Sequence, residues 1–391
     1  MRTASGTIPT TGTVTVSYHY VNASYGALNS FTDFASVVTA YGPALNPATG
    51  VVASPLTLAA QLAFQNGANV LYAVALSGQG SLVSQFEAAY QLTLPSYAVN
   101  LMVPLFEDAT SASAAESELN QLAGFLNSAA SSSKPRVAIA GLPSGFSGST
   151  PDVVAGAVAS RRIVLTWPQS FNYFNPVLNA TTTVDGMYFA AACAGYLANH
   201  APNQGLTRAQ LRGFTGIPLT QLQADTATNK NLWSSKGVAV AELNRLGQLI
   251  VRHGVTTDVS NIGTRELSVV RCQDTLFELI QVTLDQAGLI GSPITAQTAL
   301  QVKGLVAGAL ETAVSTNTIN AYTSLLVSQQ SLPTGDPTVI QVSFSYYPTY
   351  PLNYITVTFT LDLSTGNITS SSDTASGGSG SVSALQNTGG I

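Results

Sequence analysis

Apolar and polar residues alternate with a period of two in Val14-Thr15-Val16-Ser17-Tyr18-His19-Tyr20, which predicts a half-buried strand near the start of the chain. A helical period follows over residues 31–41 and ends at Gly42-Pro43. The best delimited helix covers residues 55–64, with Ser54 as N-cap, Pro55 at the first helical position and Gly67 just past the end. Short apolar runs at 70–76, 98–103, 136–140 and 163–167 then alternate with helical periods at 82–90, 112–127 and 152–160. Continuous apolar runs separated by helices predict a mostly parallel sheet covered on both faces, a three-layer α/β domain.

Residues 187–193 read as a buried helix, and the stretch from 203 to 236 is rich in loop formers. Helical patterns are expected at 238–246, at 274–287 up to Gly288, and at 296–314. A β-hairpin closes the folded part: Ile340, Val342, Phe344 and Tyr346 share one face of its first strand, and Ile355, Val357, Phe359 and Leu361 one face of its second. Pro348 and Pro351 mark the connection, because proline cannot donate to a central ladder. The Ser/Gly-rich stretch after residue 365 has the composition of a flexible arm, although Val382-Ser383-Ala384-Leu385 has the makings of an added strand. The expected organisation is an N-terminal segment and strand (1–22), an α/β domain (23–205), a C-terminal α+β domain (206–365) and an arm (366–391).

Composition narrows the function. Charged residues make up 8% of the chain, against about 25% in ordinary soluble domains, so its polar surface is mostly uncharged and suited to packing against other protein. A net charge of −5 argues against nucleic acid as a ligand. Residues 1–133 hold one base and six acids, residues 134–303 thirteen bases and nine acids, and residues 304–391 no base and four acids. An acidic front, basic middle and acidic end favour head-to-tail attraction between like subunits. No stretch reaches the roughly 18 apolar residues of a membrane span, and no secretory signal opens the chain, so neither membrane insertion nor export is expected. Cys193 and Cys272 are expected to be buried thiols, without zinc or a disulfide.

Candidate chemistry is sparse. His19, His200 and His253 are too scattered for a ligand cluster, and no cofactor or metal is expected. The loop over residues 141–152 follows a strand and precedes a helix, where a phosphate loop would sit, but it lacks both the Gly-x-Gly-x-x-Gly and the Gly-Lys-Ser/Thr spacings. An α/β enzyme or small-ligand binding protein built on that loop is the alternative function, and it requires titratable side chains converging on a pocket. A surface-layer or tail-tube subunit is a further alternative; the helices speak against a tube protein and the missing export signal against a surface layer. The densest charge region contains Arg245, Arg252, Arg265 and Arg271 with Glu266 and Asp274, which makes these residues candidates for ion pairs between subunits.

Several segments together resemble the contractile tail sheath proteins of bacteriophages and related injection systems. They are Gly12 to Tyr18, Phe31-Thr32-Asp33-Phe34, Tyr41-Gly42, Phe64-Gln65-Asn66-Gly67-Ala68 leading into Leu71-Tyr72-Ala73-Val74, Leu243 to Gly247 with Arg252-His253-Gly254, Glu266 to Arg271, and Pro351-Leu352-Asn353-Tyr354-Ile355. The resemblance covers residues 12–365, and it implies a strand at 266–271 ending in arginine before a long helix. Sheath proteins usually carry a further N-terminal segment, whereas this chain opens almost at the first motif strand. The resemblance further implies a structural, non-enzymatic subunit of a virion tail, assembled in the bacterial host cytoplasm. Such subunits form helically stacked hexameric rings around a tail tube protein, together with baseplate and tail terminator proteins. Contraction drives the tube through the host envelope, and neighbours are linked by strands donated into a sheet. Val14, Val16 and Tyr18 and the distant Val382 and Leu385 are then candidate donated positions, and Ile340, Val342, Phe344, Ile355, Val357 and Phe359 candidate acceptors.

Overall fold

The computed structural model describes residues 26–76, 81–331 and 335–353. Its elements run β1 (Asn29–Phe31), α1 (Phe34–Tyr41), α2 (Pro55–Gln65), β2 (Leu71–Ala73), α3 (Leu82–Thr93), β3 (Leu101–Met102), α4 (Ala112–Ser131), β4 (Val137–Gly141), α5 (Pro151–Val158) and β5 (Ile163–Trp167). They continue with β6 (Ser170–Asn175), β7 (Ala180–Asp185), α6 (Gly186–Ala198), α7 (Leu219–Ala224), α8 (Ala227–Ser235), β8 (Val238–Leu243) and β9 (Leu249–Val251). The last are α9 (Ile262–Arg265), α10 (Leu267–Gln286), α11 (Ala296–Ser315), β10 (Ile319–Gln329) and β11 (Ile340–Pro348).

The central sheet has the order β3-β4-β5-β8-β9, parallel except for the last pair. Alternation along its strands sorts side chains into two cores. Val137, Ile139, Val164, Ala239 and Ala241 face a core shared with α2, α6 and the start of α10. Ala138, Ala140, Leu165, Val238 and Val240 face a core shared with α3, α4, α5 and α8. The three-layer arrangement expected from the apolar runs is therefore present.

Local sequence sets the helix ends. The Ser54 hydroxyl accepts the Thr57 N–H at 3.2 Å, and Pro55 opens α2 where its missing N–H costs nothing. The helix expected over 31–41 begins later, at Phe34, because Asp33 caps it by accepting the Ser36 N–H at 2.8 Å; this leaves Phe31 to strand β1.

Several expectations are corrected. Residues 238–246, expected as helix, form strand β8 and a turn, since Val-Ala-Val-Ala is buried on both faces and a short apolar run carries no helical period of its own. Residues 266–271, a strand by resemblance, instead cap and begin α10, whose Leu267 and Val270 pack three residues apart into one core. Strand β2 pairs antiparallel with β1 and is not in the five-stranded sheet. The loop-rich stretch 203–236 contains α7 and α8, and the β6–β7 hairpin was not expected. Because β8 and β9 complete the sheet begun by β3, the division expected at 205/206 falls inside the residues that build this sheet.

Helix α10 connects the two halves. Leu267 and Val270 are buried in the core around α6, while Leu276, Leu279, Ile280 and Leu284 join α11 and the β10–β11 ribbon in a separate cluster. Helix α6 is buried on nearly every side and crosses α2 so closely that a Cβ on Gly195 would stand 2.2 Å from the Ala63 carbonyl oxygen. Gly195→Ala is therefore expected to cost roughly 1–3 kcal/mol through overpacking. Gly124→Ala, on the exposed face of α4 with open space around it, is expected to add up to ~1 kcal/mol. Urea unfolding of both variants checks the contrast.

Candidate assembly surface

Strands β10 and β11 form an antiparallel ribbon, and among the described residues no further strand joins it. Ile340, Val342, Phe344 and Tyr346 are half-buried and alternate with exposed Gln341, Ser343, Ser345 and Tyr347, as the period of two requires. The apolar face packs on α10 and α11 through Leu276, Val306 and Leu310, with Tyr322, Leu325 and Val327 of β10 beside it. An extra residue between Thr323 and Leu326, with Ser324 at φ 58, bulges β10 and twists the ribbon. The partner of β11 here is β10, which the sequence reading did not identify. The expected second hairpin strand, with Ile355, Val357 and Phe359, lies outside the described residues, as do Val14, Val16, Tyr18, Val382 and Leu385.

A two-stranded ribbon is marginal by itself and needs either a packing surface or more strands. This one has the surface. Its two outer edges still present main-chain N–H and C=O groups that no described strand pairs, the arrangement that accepts a strand from elsewhere. Leu326, Val339, Tyr350 and Leu352 are exposed apolar side chains on and beside the ribbon.

The charge candidates sit mostly inside the subunit. Arg252 donates to Glu242 at 2.6 Å and to Asn231, and Arg208 reaches the other Glu242 oxygen at 3.4 Å. Arg271 is half-buried and caps the end of α6, donating to the Leu197 and His200 carbonyls at 2.9 and 3.1 Å; desolvation pushes its guanidinium down to about 10. Asp274 accepts two bonds from Arg162 at 2.8 and 3.0 Å, although burial leaves its carboxyl above the ordinary value. Arg245 is exposed in the turn between β8 and β9. The apolar surroundings of Arg161-Arg162 were the one signal that could have exposed the Arg162–Asp274 pair, because a buried base needs an acid.

Glu266 gathers three side-chain partners. Its carboxylate accepts from His253 at 3.1 Å, from Arg265 at 3.0 Å and from Asn353 at 3.2 Å, and it is 1% exposed. Asn353 also accepts the Thr207 hydroxyl at 3.1 Å, so the chain leaving β11 is tied back onto the α/β half at the start of α10. Burial alone would raise the Glu266 carboxyl; the bonds and charge of His253, with Asn353 and Arg265, outweigh it and hold the carboxyl below its usual value.

The loop over residues 141–152 is anchored by a few buried side chains, while Ser144, Gly145, Ser147, Gly148 and Thr150 are exposed. Leu142 and Phe146 are buried in the core, and the Ser144 N–H donates to Asp185 at 2.7 Å. A cavity of about 1130 Å³ lies elsewhere, and no residue of this loop lines it. Among the described residues, no group of three His, Cys, Asp or Glu side chains is placed to hold a metal ion, and no helix is long and apolar enough to cross a membrane.

These features define a class: an α/β body carrying a helix-backed ribbon whose edges no described strand pairs. No family model matches the chain. Its fold is similar to that of a chain in the cryo-EM structure of the anti-feeding prophage baseplate, 6-fold symmetrised, at TM-score 0.66 and 15% identity over 87% of this chain and 89% of that one. A chain of the same baseplate in the contracted state gives TM-score 0.64 at 15% identity, covering 90% and 97%. In sequence, the chain is 34% identical over 360 residues to the tail sheath protein of Mycobacterium phage Bxz1. That alignment covers 91% of this chain and 60% of the relative's length. The resemblance to phage tail sheath proteins read from the motifs is borne out.

Glu266→Ala is expected to destabilise the chain by about 3–5 kcal/mol at neutral pH, since it removes the buried carboxylate that His253, Arg265 and Asn353 share. A carboxyl with a lowered folded pKa stabilises above its unfolded value of ~4.3 and loses that contribution as pH falls through the folded value. The difference between parent and variant should therefore shrink on acidification below pH ~4, as read by denaturant titrations across pH.

Proposed function

We propose that this chain is a structural subunit of a contractile phage tail sheath. It polymerises as helically stacked hexameric rings around a tail tube, and contraction drives the tube through the host envelope. The observation that carries this reading is the 34% identity with a phage tail sheath protein along 91% of the chain, together with a ribbon whose edges stand open among the described residues. Tail tube, baseplate and terminator proteins are the partners, and the virion tail is its place. It acts mechanically and not as an enzyme.

The physics is strand addition. Main-chain hydrogen bonds across copies require no particular side chain, so β10–β11 serves as an acceptor for residues 12–21 or for the arm after residue 365 of a neighbour. In a chain with only 8% charged residues, the desolvation cost of extensive lateral contact is low. Contraction then needs only a second packing that buries more area. At about 25 cal/mol per Å², each further 100 Å² of apolar surface yields roughly 2.5 kcal/mol per subunit, added over every copy in the tube. The ion pairs of Glu242, Glu266 and Asp274 hold the body rigid, so that subunits move as units.

The test is electron microscopy of the purified chain with and without residues 366–391. Hollow helical tubes or stacked rings are expected from the full chain, and their loss on deletion identifies the arm as donor. Tubes unchanged by the deletion exclude the arm. A preparation that stays monomeric at high concentration contradicts the sheath reading.

A further inference from the structure

Two strand edges line one cavity. β2 pairs with β1 on one side and with no described strand on the other, and β3 is the terminal strand of the five-stranded sheet. The cavity of about 1130 Å³ is lined without a break by residues 68–76 along β2 and 98–105 along β3. A slot with a strand edge on each side fits backbone better than a compact ligand, because both edges present hydrogen-bonding groups that a strand would pair.

Its two walls differ in a way that a particular strand would match. The wall on the α6 side is made of small residues, including Ala59, Ala63, Ala191 and Ala194, whereas the α3 side carries Phe86 and Tyr90. A strand with large side chains on one face and small ones on the other fits between them. In Val14-Thr15-Val16-Ser17-Tyr18-His19-Tyr20 the two valines and two tyrosines share one face, and the other carries the small Thr15 and Ser17 followed by His19.

Chain path and charge select the same segment. Leu28 already lines the cavity, and the Gly26 N–H donates to the Ala75 carbonyl beside the end of β2 at 2.8 Å. Tyr20 is only six residues earlier, a reach of roughly 20 Å. The cavity is lined by Glu107, Asp108, Asp274 and Glu278 against Arg271. Residues 1–25 contain Arg2 and His19 and no acid, while residues 354–391 contain two acids and no base.

The geometry points to residues 14–20 of the same subunit entering this cavity as a strand between β2 and β3. To pass over the end of β2 into β1, which is antiparallel to β2, that strand runs parallel to β2. It thereby joins the β1–β2 pair to the central sheet. This segment is then used inside its own subunit, which leaves the arm after residue 365 as the donor to the ribbon. The inference does not rest on the sheath reading.

The test uses the full chain with Tyr72→Cys combined in turn with Thr15→Cys, Val16→Cys, Ser17→Cys and Tyr18→Cys. The native Cys193 and Cys272 are buried, and burial raises both thiols, Cys272 to about 11, so they interfere little. After mild oxidation, a disulfide within one chain is expected at positions of a single parity, found as a linked peptide by mass spectrometry. Absence of any link overturns the proposal. So do links found only between chains in a mixture of 14N- and 15N-labelled subunits, which would place a neighbour's segment in the slot. Hydrogen exchange on the unsubstituted chain is the second measurement. Amides of residues 14–20 are expected to exchange at least about 100-fold more slowly than in an unstructured peptide, and free exchange overturns the proposal.

Discussion

Main-chain hydrogen bonding at strand edges is the constraint on which this architecture depends. A buried N–H or C=O left unpaired costs as much as a lost hydrogen bond, so a protein closes its sheets, covers their edges or pairs them with something else. Here the described chain does little closing. Among the described residues, the ribbon of β10 and β11 is covered on one face by two helices and unpaired along both edges, and β2 and β3 each keep an edge toward one cavity. In the proposed assembly, such a fold is completed by backbone supplied from beyond the described residues. For a molecule that is to be one of many, an incomplete ribbon is an attachment point that depends on direction and register more than on side-chain identity.

Between these edges stands a stiff connection. Helix α10 puts its first turns in the core of the α/β half and its later turns under the ribbon, so tilting one half displaces the other. Charged groups reinforce the joint where apolar contact is thin. Arg271 fastens α10 to the end of α6, Arg162 holds Asp274, and Glu266 draws Asn353 back from the end of β11. With few charges in the chain, placing so many of them at this junction concentrates its electrostatic stabilisation where the mechanical load would pass.

The sequence disclosed the parts whose physics is local. Ser54-Pro55 and Gly67 delimited α2, apolar runs located β4 and β5, and the alternation at 340–346 identified the buried face of β11. What stayed hidden depended on tertiary partners. Val238–Leu243 carries no period that separates a strand from a helix until β5 stands beside it. β10 reads Ile-Asn-Ala-Tyr-Thr-Ser-Leu-Leu-Val, and its bulge at Ser324 breaks the alternation that would have marked it. The arginines were recognised as a charge-rich region, but their function within the subunit was not, because sequence spacing does not reveal that Arg271 lies over the carbonyl end of α6 or that Asp274 meets Arg162.

The claim that the ribbon is completed by another copy is tested most directly by hydrogen exchange at residues 340–348, comparing the assembled chain with the dissociated one. Amides of β11 already bonded to β10 should exchange slowly in both states. Those pointing outward should become slow only on assembly, giving protection that alternates along the strand. Equal exchange of the outward amides in both states would contradict the account.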